Sequence, residues 1–432
     1  MERFRVPGVA VGVLHQGQTF TAGFGVTNVD HPLPVDGDTL FQIGSTTKTF
    51  TATLAMRLVE MGRLDLDAPI RKYLPSFRLR DENVAAHVTM RHLLTHMGGW
   101  LGDYFDDLGD NDDALSKYVA AMIDLPQLTP LDTIWSYNNA GFAAAGRVIE
   151  IVTGKTYETS LKEFLLDPLG LNQSFIFPKD VMTHRFAVGH LVVNDKPQVA
   201  RPWALARTAH CVGGIASSAI DQLAYARFHM SDGAPLLSRQ SIALMQTPQV
   251  SAALGEKMGL SWFINDASGM PVVRHGGATL GQLSAFMFAP AHGFAITVLT
   301  NSSRGGELHH EITTLALERY LGIQEPARVF VPMTNSQLAE FAGRYSSALA
   351  DIDLKLENDE WVMHTTPHGG FPAKDSPPGP TPPPSRLAFI GPDRVIALDG
   401  WSKNMQGEFL RDVDGTIEWF RFGSRIREKV KH

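Results

Sequence analysis

The sequence is poor in cysteine and in long apolar runs, and each shortage excludes a class of protein. Cys211 is the only cysteine in the chain, so no intramolecular disulfide can form. A lone cysteine is more often a small buried residue than a nucleophile, and we expect Cys211 to be buried. No stretch approaches the roughly 18 consecutive apolar residues of a membrane-spanning helix, so we expect no membrane partner.

The sequence also lacks an excess of positive charge. Its net charge is −7, and its one basic run of note is the short tail 425–431. These features give no reason to expect a nucleic-acid partner. The first residues, MERFRVPGVAVGVLHQG, lack the apolar core and small-residue cleavage site of a signal peptide, which favours a cytoplasmic protein. A chain whose leader had been removed would look the same.

The sequence does contain a candidate nucleophile motif. Ser45-Thr46-Thr47-Lys48 reads S-x-x-K, and apolar residues follow at roughly helical spacing until Gly62. Ser45 is therefore expected at a helix N-terminus, where free N–H groups favour developing negative charge. Lys48 would lie one turn along the same face, and it can activate a serine only if its pKa is lowered. By itself, the motif more often marks a capped helix with a surface lysine.

A second polar stretch offers partners for the serine. Tyr137 and Asn139 lie in WSYNNAGF, just ahead of an apolar helix predicted over 141–153. A tyrosine there can relay a proton between nucleophile and leaving group, and the Asn139 amide can both donate and accept a hydrogen bond. The alternative is a turn tyrosine half-buried against the helix.

The third candidate stretch ends a predicted strand and reads RHGGA. It contains His275, Gly276, Gly277 and Ala278. The glycines would let a substrate backbone lie close to the strand edge, and the Ala278 N–H could donate to an oxyanion. By itself, this stretch is an ordinary junction between a strand and a turn.

An acidic stretch over 103–113 raises the question of a bound cation. It carries six aspartates, but it lacks the alternating ligands and closing glutamate of a calcium loop. We therefore expect a solvated loop, and we predict neither a metal nor a cofactor.

The order of predicted elements defines the fold class of the first 322 residues. Strands at both ends and helices between them predict an α+β domain, with one antiparallel sheet flanked by helices and an all-helical insertion. The sheet part is assigned to about 1–68 and 215–322, and the helical part to about 69–214. The predicted strands lie at 7–15, 19–27, 258–264, 270–275, 282–289 and 293–300.

Residues 323–432 have a different character and predict a second, all-β domain. Short alternating runs suit a small barrel or meander, and they lie at 352–357, 360–365, 394–399, 407–412 and 416–422. Seven prolines between positions 372 and 384 predict an exposed loop or linker. We expect this domain to shape access to the site without contributing a catalytic group. The proline-rich segment should be its most mobile loop or should reach toward the cleft.

The three motifs together resemble a known family. S-x-x-K, then Y-x-N among helices, then H-x-G on the returning sheet is the order in the penicillin-recognising serine hydrolases. Class C β-lactamases, family VIII carboxylesterases, low-molecular-weight penicillin-binding proteins and D-aminopeptidases belong to this group. The resemblance covers about residues 4–322, while 323–432 resembles the lipocalin-like domain appended to some members. Supporting segments are FQIGSTTKTFTA, HLLTHMGG, YNNAGFAAAG, DPLGL and VGGIASS.

This resemblance implies a mechanism and a set of roles. Ser45 would attack an acyl carbonyl, and Lys48 and Tyr137 would share the proton transfers. Asn139 would orient the substrate or Lys48, and the N–H groups of Ser45 and Ala278 would stabilise the oxyanion.

The implied activity is hydrolysis of ester or amide bonds in small substrates, of an esterase or D-aminopeptidase type. The alternatives are a DD-peptidase or β-lactamase, or a penicillin-binding sensor that is acylated without turnover. A homo-oligomer is compatible with the sequence.

One departure from the lactamase pattern bears on the substrate. Where lactamases usually carry K-T-G, this chain carries His275-Gly276-Gly277. The departure removes a fixed positive charge that would hold a substrate carboxylate, so we expect uncharged esters and amides to suit the site better.

Overall fold

A computed structural model describes residues 1–203, 205–267 and 269–431 of the chain. Its first part is the expected α+β fold, built on an eight-stranded antiparallel sheet with the order β2-β1-β13-β12-β11-β10-β9-β8. The strands of the first 322 residues are β1 Gly8–His15, β2 Gln18–Gly25, β3 Phe41–Gln42, β4 Ser174–Phe175, β5 His190–Val193, β6 Lys196–Val199, β7 Ala216–Ser217, β8 Val250–Ser251, β9 Lys257–Met258, β10 Phe263–Ala267, β11 Met270–Ala278, β12 Leu283–Ala289 and β13 Phe294–Thr300.

The sheet joins the two ends of this part of the chain. β1 pairs with β2 across the Gln16–Gly17 turn and also with β13, so β13 lies between β1 and β12. Every residue of β13 is buried, as its β-rich sequence FAITVLT predicts for a central strand. The predicted strand over 258–264 is wrong in one respect. Ser261 adopts a φ of 68°, and the turn there separates β9 from β10.

Helices cover the sheet and form most of the insertion, which also carries the short strands β4 to β6. Residues 162–166, between α6 and α7, continue as a π-helical turn. No helix in the described ranges is both long and apolar enough to cross a membrane. The helices are α1 Thr47–Glu60, α2 Glu82–His87, α3 Met90–Leu94, α4 Ala114–Ala121, α5 Asn139–Thr153, α6 Tyr157–Leu161, α7 Asp167–Leu169, α8 Pro178–Val181, α9 His210–Gly213, α10 Ala219–His229, α11 Arg239–Met245, α12 Gly305–Leu321 and α13 Asn335–Phe341.

Helix α1 is the central helix of the core. It is buried on nearly all sides, with only Arg57, Val59 and Glu60 at its C-terminal end partly or fully exposed. A helix buried all round must place any charged side chain at its start inside the protein. Lys48, in its first turn, is therefore completely buried.

The C-terminal part is a closed eight-stranded barrel, as the all-β pattern predicted. The barrel closes because β14 pairs with both β15 and β21. Its interior is filled by side chains that include Tyr345, Phe409 and Phe420. The strands are β14 Gly343–Ser346, β15 Ala350–Glu357, β16 Glu360–Pro367, β17 Ser385–Gly391, β18 Arg394–Ala397, β19 Gln406–Arg411, β20 Ile417–Phe422 and β21 Arg425–Lys429.

The proline-rich segment lies outside helices and strands, as its composition predicts. It follows β16 and ends where β17 begins at Ser385. Phe371 packs edge to face on Phe105 with ring centroids 5.0 Å apart, and Lys374 forms an ion pair with Asp106 at 2.9 Å. The start of the segment is thus held against the helical part of the protein.

The division of the chain at residue 322 stays a prediction. Residues 324–330 form neither helix nor strand and are largely exposed. Contacts nevertheless join the two parts, because the Leu254 N–H donates to Glu408 Oε1 at 2.7 Å and the Tyr137 N–H donates to the Ser424 carbonyl at 2.9 Å. A covalent cut in the segment would leave these contacts in place.

We expect brief trypsin treatment to cut the native protein after Arg328 and to leave two fragments that co-elute in gel filtration. Exposed backbone outside secondary structure is the preferred site of nicking, and the contacts across the junction should hold the fragments together. Arg328→Gln is the control that should block the cut. Fragments that separate without denaturant, or digestion that leaves no stable fragment, would contradict this expectation.

Candidate active site

The S-x-x-K motif places its serine and lysine in direct contact. Residues 44–46 form a 3-10 turn that leads into α1, and Lys48 lies one turn beyond Ser45. The Lys48 amine donates to Ser45 Oγ at 2.9 Å and to the Val212 carbonyl at 2.9 Å. Ser45 lines the cleft, whereas Lys48 has no exposed surface. The alternative of a surface lysine is therefore wrong.

Burial sets the protonation of Lys48. Burial in the protein interior lowers the pKa of this amine well below its usual range, and the charge of Arg425 lowers it further. Both effects favour the neutral amine, which can take a proton from a hydroxyl.

The turn that carries Ser45 depends on two glycines. Gly44 has a φ of 51°, and a Cβ on it would lie 2.5 Å from the Ala278 nitrogen. A Cβ on Gly277 would lie 1.9 Å from the Ile43 carbonyl oxygen and 2.7 Å from the Ser45 nitrogen. The Cβ position of Gly277 is thus filled by the Ser45 turn, whereas Gly277 itself lines the cleft, and its contact with a substrate backbone stays a prediction.

The same packing brings two candidate oxyanion donors together. The end of β11, with Ala278, lies against the turn of Ser45. The Ser284 hydroxyl on the neighbouring strand β12 donates to the Ile43 carbonyl at 2.7 Å and fixes the turn against the sheet. Backbone N–H groups held in this way can stabilise charge without reorganising.

Tyr137 is buried at the centre of the site. The Lys48 amine lies 4.9 Å from its ring centroid, the Arg425 guanidinium carbon 4.6 Å, and the His96 ring 4.2 Å. Its hydroxyl has no hydrogen-bond partner among the described residues. Burial raises the pKa of Tyr137, although the Ser45 hydroxyl and Arg425 act against this, so the phenol stays protonated near neutral pH. The alternative of a half-buried turn tyrosine is wrong.

His96 belongs to the site but was not among the predicted site residues. Its Nδ1 accepts a hydrogen bond from the Asn138 N–H at 3.0 Å, so the ring proton lies on Nε2, which has no partner among the described residues. Burial lowers the pKa of His96 well below its usual range, and Lys48 adds to this effect. HLLTHMGG contains His96, but nothing in this motif predicts that the His96 ring packs against Tyr137.

Asn139, the first residue of α5, contacts a carboxylate rather than Lys48. Its amide donates to Asp103 Oδ1 at 2.8 Å. Arg425 binds the same carboxylate through Nε at 2.9 Å and Nη2 at 3.2 Å. Burial would raise the pKa of Asp103, but Arg425 outweighs this and lowers it, so Asp103 is charged.

These contacts correct the expectation of a solvated acidic loop at its start only, because the four aspartates over 107–113 are exposed. Asp103 and Asp106 are nearly buried, and both are paired with cations. The described residues contain no group of three or more histidine, cysteine or acidic side chains that could hold a metal ion.

His275 lies beside Tyr137 and carries no charge at working pH. Its Nδ1–H donates to the Gly276 carbonyl at 2.6 Å, and its ring centroid is 6.2 Å from that of Tyr137. Burial lowers the pKa of His275 to about 3. The imidazole therefore becomes a cation only in strong acid.

The cleft above Ser45 has a volume of about 470 Å³ and is lined by both parts of the chain. Gly276, Asn139 and the other predicted site residues that reach it come from the first part. Its barrel residues are Leu349, Phe371, Pro372, Ser424 and Arg425. The proline-rich segment thus reaches the cleft as one alternative predicted. Arg425 lines the cleft, and the expectation that the barrel contributes no catalytic group stays a prediction.

Charges along the cleft are matched in pairs. Arg425 pairs with Asp103, and Arg274 pairs with Glu256. Arg274 and Glu256 also line the cleft. The two cations are thus balanced by two carboxylates, so the cleft has no net charge from these four residues.

Cys211 lies behind the site and is buried, as expected. Burial raises the pKa of its thiol, so it stays protonated. A buried thiol of this kind is not a nucleophile.

Comparisons with known proteins agree with this geometry. The family model for Beta-lactamase matches residues 1–321. Penicillin-binding protein 4 of Amycolatopsis lactamdurans is 35% identical over 356 residues, which cover 79% of this chain and 93% of that protein.

Two solved structures align with different shares of the chain. The crystal structure of SurE aligns over 99% of this chain and 96% of its own, with a TM-score of 0.74 and 23% identity, which shows a shared fold that includes the barrel. A class C β-lactamase from Rhodobacter sphaeroides aligns over 70% of this chain and 91% of its own, with a TM-score of 0.60 and 25% identity. The family model, the relative and the fold agree with the motifs, and the chain belongs to the beta-lactamase family of serine hydrolases.

Proposed function

We propose that this protein hydrolyses ester or amide bonds of small, uncharged substrates through an acyl-enzyme on Ser45. The observation that carries the proposal is the hydrogen bond of 2.9 Å between Ser45 Oγ and a completely buried Lys48. A buried amine of lowered pKa is the base that a serine needs at neutral pH. The proposal rests on this chain's own geometry and on its membership of the family.

Acylation would proceed in three proton transfers. As Ser45 Oγ forms a bond to the acyl carbon, its proton passes to the neutral Lys48 amine. The carbonyl oxygen becomes an oxyanion beside the N–H groups of Ser45 and Ala278. When the bond to the leaving group breaks, Tyr137 gives its hydroxyl proton to the leaving atom and regains a proton from Lys48. The amine is then neutral again.

Deacylation would use the same groups with water as nucleophile. Water forms a bond to the acyl carbon and gives a proton to Lys48, and the second oxyanion collapses. The bond between Ser45 Oγ and the acyl carbon breaks, and Lys48 returns the proton to the serine oxygen. The acid product leaves, and each protein group has its starting proton.

The charges in the cleft favour an uncharged substrate. His275 is neutral, and the guanidinium groups of Arg274 and Arg425 are each paired with a carboxylate. A substrate carboxylate would have to compete with Glu256 or Asp103 for its cation. Apolar side chains at the rim, among them Phe105 and Phe371, suit an acyl or leaving group with apolar surface.

Ser45→Ala should abolish hydrolysis across a panel of p-nitrophenyl esters, D-amino-acid amides, a D-Ala-D-Ala peptide and nitrocefin. The fold should survive because, among the described residues, the hydroxyl makes one hydrogen bond, to Lys48. A labelled fluorophosphonate should mark the wild type and fail on the variant. Labelling that persists on Ser45→Ala would place the nucleophile elsewhere.

The same panel separates the proposal from its alternatives. Turnover of esters and amides with little nitrocefin or D-Ala-D-Ala cleavage supports the proposal. Preference for nitrocefin or the dipeptide would make the protein a β-lactamase or a DD-peptidase. A burst of product with no steady turnover on any substrate would make it a sensor.

Lys48→Ala and Tyr137→Phe should each lower kcat by about 10²–10⁴-fold, with smaller changes in KM, because the proton transfers matter mainly in the transition state. In the wild type, kcat/KM should fall as the pH decreases and Lys48 becomes protonated. Because the pKa of Lys48 is lowered well below its usual range, this fall in kcat/KM should occur well below pH 10. Steady-state kinetics over a range of pH would measure both effects. A wild-type kcat in Lys48→Ala would remove the lysine from the mechanism.

His275→Lys should raise cephalosporin turnover relative to ester turnover from about pH 5.5 to about pH 8, because it introduces a cation where lactamases carry one and His275 is uncharged over this range. In the wild type this ratio should be low and constant from about pH 5.5 to about pH 8, since His275 is protonated only near pH 3. His275→Gln, which adds no charge, is the matched control. Efficient wild-type cephalosporin hydrolysis, unchanged by His275→Lys, would show that this position does not set substrate choice.

A further inference from the structure

The turn between β20 and β21 carries the barrel into the active site. The Tyr137 N–H donates to the Ser424 carbonyl at 2.9 Å, and the Ile426 N–H donates to Ser136 Oγ at 3.4 Å. The Tyr137 backbone and the side chain of its neighbour Ser136 are therefore hydrogen-bonded to the barrel backbone on either side of Arg425. This arrangement fixes where the Arg425 side chain enters the cleft.

Arg425 reaches the predicted site residues by way of Asp103. Two of its nitrogens contact the two oxygens of Asp103, at 2.9 and 3.2 Å, and Asn139 donates to the same carboxylate at 2.8 Å. The Asp103 side chain is only 10% exposed. The two contacts of the guanidinium fix the orientation of the nearly buried Asp103 carboxylate. The carboxylate in turn fixes the orientation of the Asn139 amide.

Arg425 also brings a permanent charge to the proton-transfer groups. Its guanidinium carbon lies 4.6 Å from the centroid of the Tyr137 ring, and the Lys48 amine lies 4.9 Å from the same centroid. A fixed cation at this range opposes a second positive charge on Lys48.

We propose that Arg425 is a positioning residue for acylation, supplied by the barrel, which orients Asn139 through Asp103 and holds a fixed cation beside Tyr137 and Lys48. This inference rests on the proposed function, because it assigns Arg425 a role in the activation of Ser45. Arg425 acts through other side chains and receives no proton. Its contribution is a charge and a geometry that come from the barrel.

The charged and titratable groups around Lys48 fix the signs of the effects. Burial and then Arg425 lower the pKa of Lys48, whereas Cys211 and Asp103 raise it. The other groups around it are His96, His275 and Tyr137, which are uncharged near neutral pH. Removing the cation should therefore raise the pKa of Lys48, and removing the carboxylate should lower it.

The test is the pH profile of fluorophosphonate labelling of the full chain, together with kcat/KM for a p-nitrophenyl ester. Both report activation of Ser45, and both should fall in acid as Lys48 is protonated. Arg425→Met should move this acid limb upward by about one pH unit, equivalent to about tenfold slower labelling below the limb. Arg425→Lys keeps the charge and should leave the acid limb at the same pH. The loss of the two-nitrogen contact with Asp103 should nevertheless lower kcat.

Two further variants guard against a merely structural effect. Arg386→Met removes a cation from the barrel that is paired with Glu360 and Asp399, and it should leave the profile unchanged. If Arg425→Met alone fails to fold, Arg425→Met combined with Asp103→Asn removes both charges of this pair. Its limb should still move upward, but less, because the two charges act in opposite directions.

The outcomes separate this inference from the proposed function. Wild type labelled at Ser45, with an acid limb that shifts in Arg425→Met and not in Arg386→Met, supports the inference. An unshifted limb in folded Arg425→Met, with wild type still labelled at Ser45, overturns the inference and leaves the proposed function intact. Absence of Ser45 labelling in the wild type overturns both.

Discussion

The structure depends above all on burying an amine against a hydroxyl. Lys48 has no exposed surface, and its partners are the Ser45 oxygen and the Val212 carbonyl. A charged ammonium in such a place is costly, so the surroundings determine whether it holds a proton. The histidines nearby, His96 and His275, are neutral for the same reason. Burial thus favours three uncharged groups together: the Lys48 amine, the Tyr137 phenol and the His275 imidazole.

Close backbone packing turns this interior into a site. Gly44 and Gly277 let the serine turn approach the end of β11 closely. A Cβ on Gly44 would collide with Ala278, and a Cβ on Gly277 would collide with the serine turn. The side chain of Ser284 fixes the turn from the next strand. The nucleophile is therefore positioned by the central sheet and by the buried helix α1. The barrel adds the wall of the cleft and the cation of Arg425.

Much of this could be predicted from the sequence, and the failures have physical causes. The S-x-x-K motif, the helix at α5 and the central strands have strong local patterns. The barrel strands β14, β17 and β21 were not predicted. β21 reads RIREK, and its charges suggested a basic tail, because closure of a barrel depends on pairing with a distant strand. The roles of Asp103 and Arg425 were hidden likewise, since an ion pair between distant segments leaves no periodic signal in either.

The position of β21 has a consequence for the synthesis of the protein. The ribosome makes chains from the N-terminus, and N-terminal regions begin to fold first. Ser45, Lys48 and Tyr137 are therefore made long before Ser424 and Arg425, which supply the carbonyl partner of the Tyr137 N–H and the cation for Asp103. Until that hairpin has left the ribosome, Asp103 has no guanidinium partner and one wall of the cleft is missing. Residues 1–322 therefore leave the ribosome before the site is complete. The site is completed when the last strand of the barrel, β21, has been made.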